Sequence, residues 1–178
     1  MENNLKNFSI KTERLKLVSQ SLQFLETTHA YASDRENMRY TLNLPNDSEE
    51  DTREFLLSAE AEWEKDEPSF YEFAILKDGK HIGGLSLYPD ESKTCAEIGW
   101  CLDKSAQGKV YAVEAARAAV AWANETLSVS RFVAHCDSEN IASWKTMEKL
   151  GMKRVSCTGG RFNKLNPTEE RDEFLYEM

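Results

Sequence analysis

The sequence has little of what a metal centre or a disulfide scaffold requires. Its four cysteines, Cys95, Cys101, Cys136 and Cys157, contain no C-x-x-C pair and sit in or beside apolar segments, which argues against disulfides and structural zinc. The three histidines, His29, His81 and His135, show no helical H-x-x-x-H spacing, so no metal is expected. No apolar run approaches the ~20 residues of a membrane span, and the opening MENNLKNFSI lacks the apolar stretch and cleavage site of a secretory leader. A soluble, cytoplasmic chain without membrane partners is the expectation. Basic residues are also in deficit, 22 Lys and Arg against 31 Asp and Glu, giving a net charge of -9. A surface of that sign repels a phosphate backbone, which excludes nucleic acid as a default partner, and it favours a cationic ligand such as an amine.

What is present is a chain of 178 residues, 40% of them apolar, without internal repeats or low-complexity tracts. One domain over 1–178 is expected, with its core at about 10–178. Residues 10–18 read as a first strand and 21–33 as a helix, and 39–46 as a loop. Ser48 with Asp51 three positions later forms a capping-box pattern, followed by an apolar stripe of Phe55, Leu56, Ala59 and Trp63. Segments 69–76 and 80–88 read as a hairpin closed by a three-residue turn, Lys77-Asp78-Gly79. Residues 94–102 alternate, with Ala96, Ile98, Trp100 and Leu102 on one face and Cys95, Glu97, Gly99 and Cys101 on the other, which predicts a third antiparallel strand.

From Gly108 the period changes: Val113, Ala116, Val120, Ala123 and Leu127 mark one face of a long helix. A strand at 131–136, a helix at 140–150 closed by Gly151, and strands at 153–156 and 173–177 complete the pattern, with 158–168 read as a loop. A meander joined to a βαβ crossover is an α+β, or mixed α/β, layer fold. The four tryptophans read as core or cleft lining, and the acidic runs 47–51 and 169–173 as solvated charge.

The junction between the 94–102 strand and the long helix carries the chemistry. A helix N-terminus holds unpaired N–H groups and about half a positive charge, so a Gly-containing entry loop binds an anion even on an acidic protein. Gly108 removes a Cβ where a ligand oxygen needs close approach, and Lys109 adds a mobile cation.

Together with Thr12-Glu13-Arg14-Leu15-Lys16-Leu17, Ala96-Glu97-Ile98-Gly99-Trp100, Glu139-Asn140-Ile141-Ala142-Ser143 and Glu148-Lys149-Leu150-Gly151-Met152, the run Gln107-Gly108-Lys109-Val110-Tyr111-Ala112 resembles the GCN5-related N-acetyltransferases. Within them the chain is similar to the branch of ribosomal-protein-alanine N-acetyltransferases. The resemblance implies a mixed, mostly antiparallel sheet of about seven strands flanked by about four helices, split into a V that holds acetyl-CoA. It implies pyrophosphate on Gln107, Gly108, Lys109, Val110, Tyr111 and Ala112, and pantetheine against main-chain groups of Trp100, Cys101 and Leu102. Asn140 and Ser143 would face the thioester end. Val110 stands where the family's loop usually has glycine; a β-branched residue tolerates positive φ poorly, which predicts a shifted loop or weaker cofactor binding.

Acetyl transfer needs a neutral amine, oxyanion stabilisation and a proton for the thiolate. Glu97, expected to be partly buried in an apolar strand, is the candidate base, with Glu72 the competing carboxylate. Ser143, by analogy with the branch, is the candidate acid, and a main-chain N–H on the Trp100 strand, exposed by a bulge, the candidate oxyanion donor. The implied function is acetyl-CoA-dependent N-acetylation of a primary amine, on a protein N-terminus or a small molecule, by direct attack and without a metal. An acyl-CoA-binding module with little turnover, suggested by Val110, is the alternative. The pattern is compatible with a homodimer, and the 158–168 loop is where acceptor specificity would lie.

Overall fold

The computed structural model describes residues 8–178. Most of the opening segment read above for a leader therefore lies outside the described residues. Eight strands form one sheet in the order β1-β2-β3-β4-β5-β6-β8-β7. They are β1 (Ser9–Lys11), β2 (Leu15–Ser19), β3 (Tyr71–Lys77), β4 (Lys80–Pro89), β5 (Cys95–Leu102), β6 (Arg131–Asp137), β7 (Lys153–Asn163) and β8 (Asn166–Glu177). Four helices accompany them: α1 (Leu25–Ala32), α2 (Glu49–Trp63), α3 (Tyr111–Leu127) and α4 (Ile141–Leu150). Every neighbouring pair is antiparallel except β5 and β6.

Three local readings are corrected. The segment 10–18 is two strands, because Thr12 turns the chain back: its N–H donates to the Leu15 carbonyl at 2.9 Å, and Ser9 then pairs with Val18. The hairpin turn is the two-residue Asp78-Gly79, both at positive φ (50° and 77°), which matches the twist of the flanking strands better than a three-residue loop. The expected 158–168 loop is mostly strand, since β7 and β8 form one long hairpin with only Lys164 and Leu165 between them. Its Gly-, Asn- and Pro-bearing composition obscured a pairing that comes from across the sheet.

The capping box on α2 is present, with Ser48 accepting from the Asp51 N–H and Asp51 from the Ser48 N–H. Phe55, however, is exposed, and Thr52, Leu56, Ala59, Glu62 and Trp63 form the buried face instead. The core lies between the sheet and α3, where Ala115, Ala116, Ala119 and Ala123 are fully buried. Alanine at the contact lets the helix axis approach Ile98, Phe132 and Ala134 closely, and this fixes where the N-terminus of α3 meets the end of β5.

Candidate active site

The sheet opens where β5 and β6 part. Their parallel pairing covers only Cys95–Arg131, Ala96–Phe132 and Glu97–Val133. Beyond it β5 stays with β4 and β6 with β8, so the strands diverge into a fork. Peptide groups alternate sides along a strand. The Thr94 carbonyl accepts from Ser130 and Arg131, and the Cys95 carbonyl from Asp90 on the β4 side. By that parity Ile98, Trp100 and Leu102 turn their peptide groups into the fork. Cys101 turns its own toward Gly84, and its side chain packs against Met38 with Sγ and Sδ 3.8 Å apart. Burial pushes the Cys101 thiol up to about 12, so it stays a thiol. The register of β4 and β5 is unbroken, and the free peptide edge comes from strand divergence with no bulge in β5. Ile98, overlooked in the sequence, was recoverable from the same parity.

The fork leads to the N-terminus of α3 through a cleft of about 540 Å³, whose wall includes Trp100, Cys101, Leu102, Gln107, Gly108, Val110, Tyr111, Ala112, Asn140 and Ser143. The first helical bond runs from the Glu114 N–H to the Val110 carbonyl (3.1 Å), leaving the preceding N–H groups at the helix mouth. Gly108 and Val110 both adopt left-handed backbone, at φ 74° and 65°. Val110 takes up the positive φ that a β-branched residue tolerates poorly, at a cost of about 1–2 kcal/mol, and its side chain is exposed at the cleft wall.

The surroundings hold it there. The Glu114 carboxylate accepts from Thr12 Oγ1 (2.5 Å), the Arg14 N–H (2.8 Å) and Arg14 Nε (2.7 Å), while Arg14 Nη1 donates to the Lys109 carbonyl (3.2 Å) and its guanidinium lies 4.8 Å from the Tyr111 ring centroid. Burial raises the Glu114 carboxyl, but these donors outweigh it and hold the group below its usual range. The Thr12–Arg14 corner thus braces the loop from behind. Lys109 Nζ donates to the Ser105 carbonyl at 2.9 Å.

The two carboxylates differ from expectation. Glu97 is exposed, because its face of β5 is uncovered there, and it bonds His135 Nδ1 at 3.1 Å. Glu72 is the buried one, at 4% exposure. Burial raises its carboxyl to about 7 against the lowering effect of hydrogen bonds from Tyr88, whose hydroxyl donates at 2.6 Å, and from Ser86. In register Glu72 faces Ser86 and Ser86 faces Gly99, so a polar row crosses three strands to the mouth of the fork and ends on a residue without a side chain. On the opposite bank, Asn140 caps α4 by accepting from the Ser143 N–H (3.2 Å), and the Ser143 side chain bonds the buried Cys136 thiol. Burial raises that thiol to about 11, against the lowering effect of the Arg161 guanidinium and the Ser143 hydroxyl. Among the described residues no cluster of His, Cys, Asp and Glu is arranged to hold a metal.

Sequence reasoning missed the segment that roofs the cleft. Residues 36–41 line it. Asn37 Oδ1 accepts from Gln107 Nε2 (2.7 Å), and Asn37 Nδ2 donates to the Leu102 carbonyl (3.1 Å). No local pattern announced this, because the pairing spans about the distance of half a domain in sequence.

Comparison with known proteins agrees with this geometry. The model of the acetyltransferase (GNAT) domain family matches residues 14–153. The uncharacterized N-acetyltransferase YnaD of Bacillus subtilis (strain 168) is 31% identical over 174 residues, 95% of either chain. A GNAT-family acetyltransferase structure from Bacillus anthracis superposes with a TM-score of 0.81 at 29% identity, covering 96% of this chain and 98% of that one. A structure of RimL, a ribosomal L7/L12 alpha-N-protein acetyltransferase in complex with coenzyme A, shares the fold, with a TM-score of 0.84 at 19% identity over 96% and 97% of the two chains. The chain belongs to the GNAT acetyltransferase family and is an N-acetyltransferase that uses acetyl-CoA.

Proposed function

We propose that the acceptor is a primary amine that attacks the thioester directly, with Glu72 as the base and Ser143 as the acid. The observation that carries this reading is the fork itself. Past Glu97 and Val133 the free peptide edge of Ile98 and Trp100 runs from the polar row of Glu72, Ser86 and Gly99 toward the helix mouth of α3. The residues present fit acetyl-CoA: N–H groups at left-handed Gly108 and Val110 suit its pyrophosphate, and the strand edge suits an extended amide-bearing arm. Acetyl-CoA supplies the activated acyl group.

The chain's own residues supply the rest. An amine is cationic at neutral pH and must lose a proton before it attacks; a carboxyl near 7 is poised to take it up, through Tyr88 or a water over Gly99. A peptide N–H at the fork edge stabilises charge on the carbonyl oxygen, and the Ser143 hydroxyl returns a proton to the sulfur.

The test is thiol release from acetyl-CoA with a panel of small amines and N-terminal peptides, beside calorimetric binding of CoA. Release with at least one amine class, and its retention when the peptide N-terminus alone is offered, assigns the acceptor. CoA binding with no release on any amine contradicts the proposal.

A further inference from the structure

Residues 34–47, between α1 and α2, are fastened at both ends of the cleft. At the cofactor end Asn37 holds Gln107 and the Leu102 carbonyl, and Lys104 pairs with Asp34 (2.9 Å) and Glu36 (3.1 Å). Gln107 is the first residue of the anion loop, and its amide also donates to the Leu102 carbonyl at 3.2 Å. At the other end the tip of the β7–β8 hairpin grips the same segment. Arg161 Nη2 donates to the Tyr40 carbonyl (2.8 Å), the Lys164 N–H to the Thr41 carbonyl (3.2 Å), and Lys164 Nζ to the Pro45 carbonyl (2.7 Å) and Asp47 (2.8 Å).

The hairpin end is built as a buried polar unit. Arg161 is 8% exposed, and its other nitrogens reach Asn163 Oδ1 (2.9 Å) and Glu173 Oε2 (2.5 Å). Asn163 Nδ2 donates to Asp137, fully buried at the end of β6, at 2.6 Å. Asp137 in turn accepts from the Glu139 N–H at 2.8 Å, and its carbonyl from the Asn140 N–H at 2.9 Å. One connected set of hydrogen bonds therefore runs from the anion loop through the roof to the hairpin and back to the N-cap of the Ser143 helix.

We infer that Asn37 and Arg161 are positioning residues that couple occupancy of the cofactor loop to the tip of the β7–β8 hairpin that grips the cleft roof. Neither needs to touch the reacting atoms. Whatever orders the 107–112 loop fixes Gln107, Gln107 fixes Asn37, and the segment through Thr41 then carries that order to Lys164 and Arg161. The buried members, Arg161, Asn163 and Asp137, have few alternative partners and so hold a constraint that the exposed Gln107–Asn37 bond passes to them through the roof. The inference rests on CoA binding at the fork, as proposed above.

Hydrogen exchange with and without CoA tests it, read at the amides of 161–166. In the wild-type protein saturating CoA slows exchange there about tenfold, within the usual range of coupling between sites. Asn37→Ala and Gln107→Leu, which remove the same bond from opposite sides, still take up CoA at higher concentration, while the slowing at 161–166 falls below about twofold. Arg161→Lys, which keeps a cation for Glu173, also loses the effect at Lys164. Wild-type protein that binds CoA with unchanged exchange at the hairpin overturns the coupling alone, as does full CoA-dependent slowing in both Asn37→Ala and Gln107→Leu. Failure of wild-type protein to bind CoA at all overturns the cofactor reading as well.

Discussion

The two sides of the molecule that meet at the cleft are built of different materials. The cofactor bank is mostly main chain: a strand edge at Ile98 and Trp100, left-handed residues at 108 and 110, and the mouth of α3. The roof and the β7–β8 hairpin that grips it are held together mostly by side chains, drawn from segments far apart in sequence: Asn37, Asp137, Arg161, Asn163, Lys164 and Glu173. Main-chain recognition depends on local conformation and does not require net positive charge, which is how a chain of net charge -9 offers a dinucleotide-like anion a site.

The largest effect that would sharpen this contrast concerns Glu72. Glu72→Gln is expected to lower kcat/KM by about 10²–10³-fold and to remove an acid limb near pH 7, whereas Glu97→Gln changes the rate less than about threefold. A pH–rate profile on the best amine of the panel checks both. The same substitution acts oppositely on stability. The folded-state pKa of Glu72, about 7, lies above its ordinary 4.5, so the folded protein binds the extra proton between those values. That contribution to stability is fully present below pH 4.5 and is lost as pH rises through 7. Glu72→Gln is therefore expected to stabilise the fold at pH 8 by on the order of 3 kcal/mol, seen as a higher Tm, and to leave stability nearly unchanged at pH 4.5. Thermal scans at the two pH values read the difference.

In the β7–β8 hairpin, Arg161→Met strips the partner from Glu173 and a donor from the Tyr40 carbonyl. A loss of about 3 kcal/mol is expected in denaturant unfolding, the low end for a buried pair because Glu173 is partly exposed. On the cofactor bank, Val110→Gly relieves about 1–2 kcal/mol of left-handed strain and returns about 0.5–1 kcal/mol in chain entropy. A net gain of about 0.5–1 kcal/mol, with CoA affinity equal or slightly better by calorimetry, is the expected outcome. A clear fall in affinity would mean that the valine side chain itself meets the ligand.

The same division explains what could be read from sequence. Gln107–Ala112 and the strand before it follow from local pattern: alternation, a glycine, then a change of period. So does the capping box at Ser48 and Asp51. The expected partial burial of Glu97 failed because periodicity assigns a side chain to a face but does not say whether a helix covers that face; here the uncovered part carries Glu97 and the buried part Glu72. The hairpin failed for a related reason. Gly159, Gly160 and Pro167 suggest a loop, yet β7 is held by pairing with β8 and by Arg161, 121 positions from its partner Tyr40. The apparently solvated run 169–173 hides Glu173, the counterion of that arginine. Long-range side-chain satisfaction leaves no trace in a window of ten residues.

The claim that main chain, and not a charged side chain, holds the anion is tested most directly by titrating CoA into wild-type protein, Lys109→Ala and Gly108→Val in parallel. Lys109 is exposed and already donates to Ser105, and the space beside the Gly108 Cβ position is open, with no atom within 4 Å. The account predicts that Lys109→Ala weakens CoA less than about threefold, while Gly108→Val weakens it more than about tenfold by disfavouring φ 74° and filling the approach to the N–H groups. A tenfold loss in Lys109→Ala with affinity kept in Gly108→Val would contradict it.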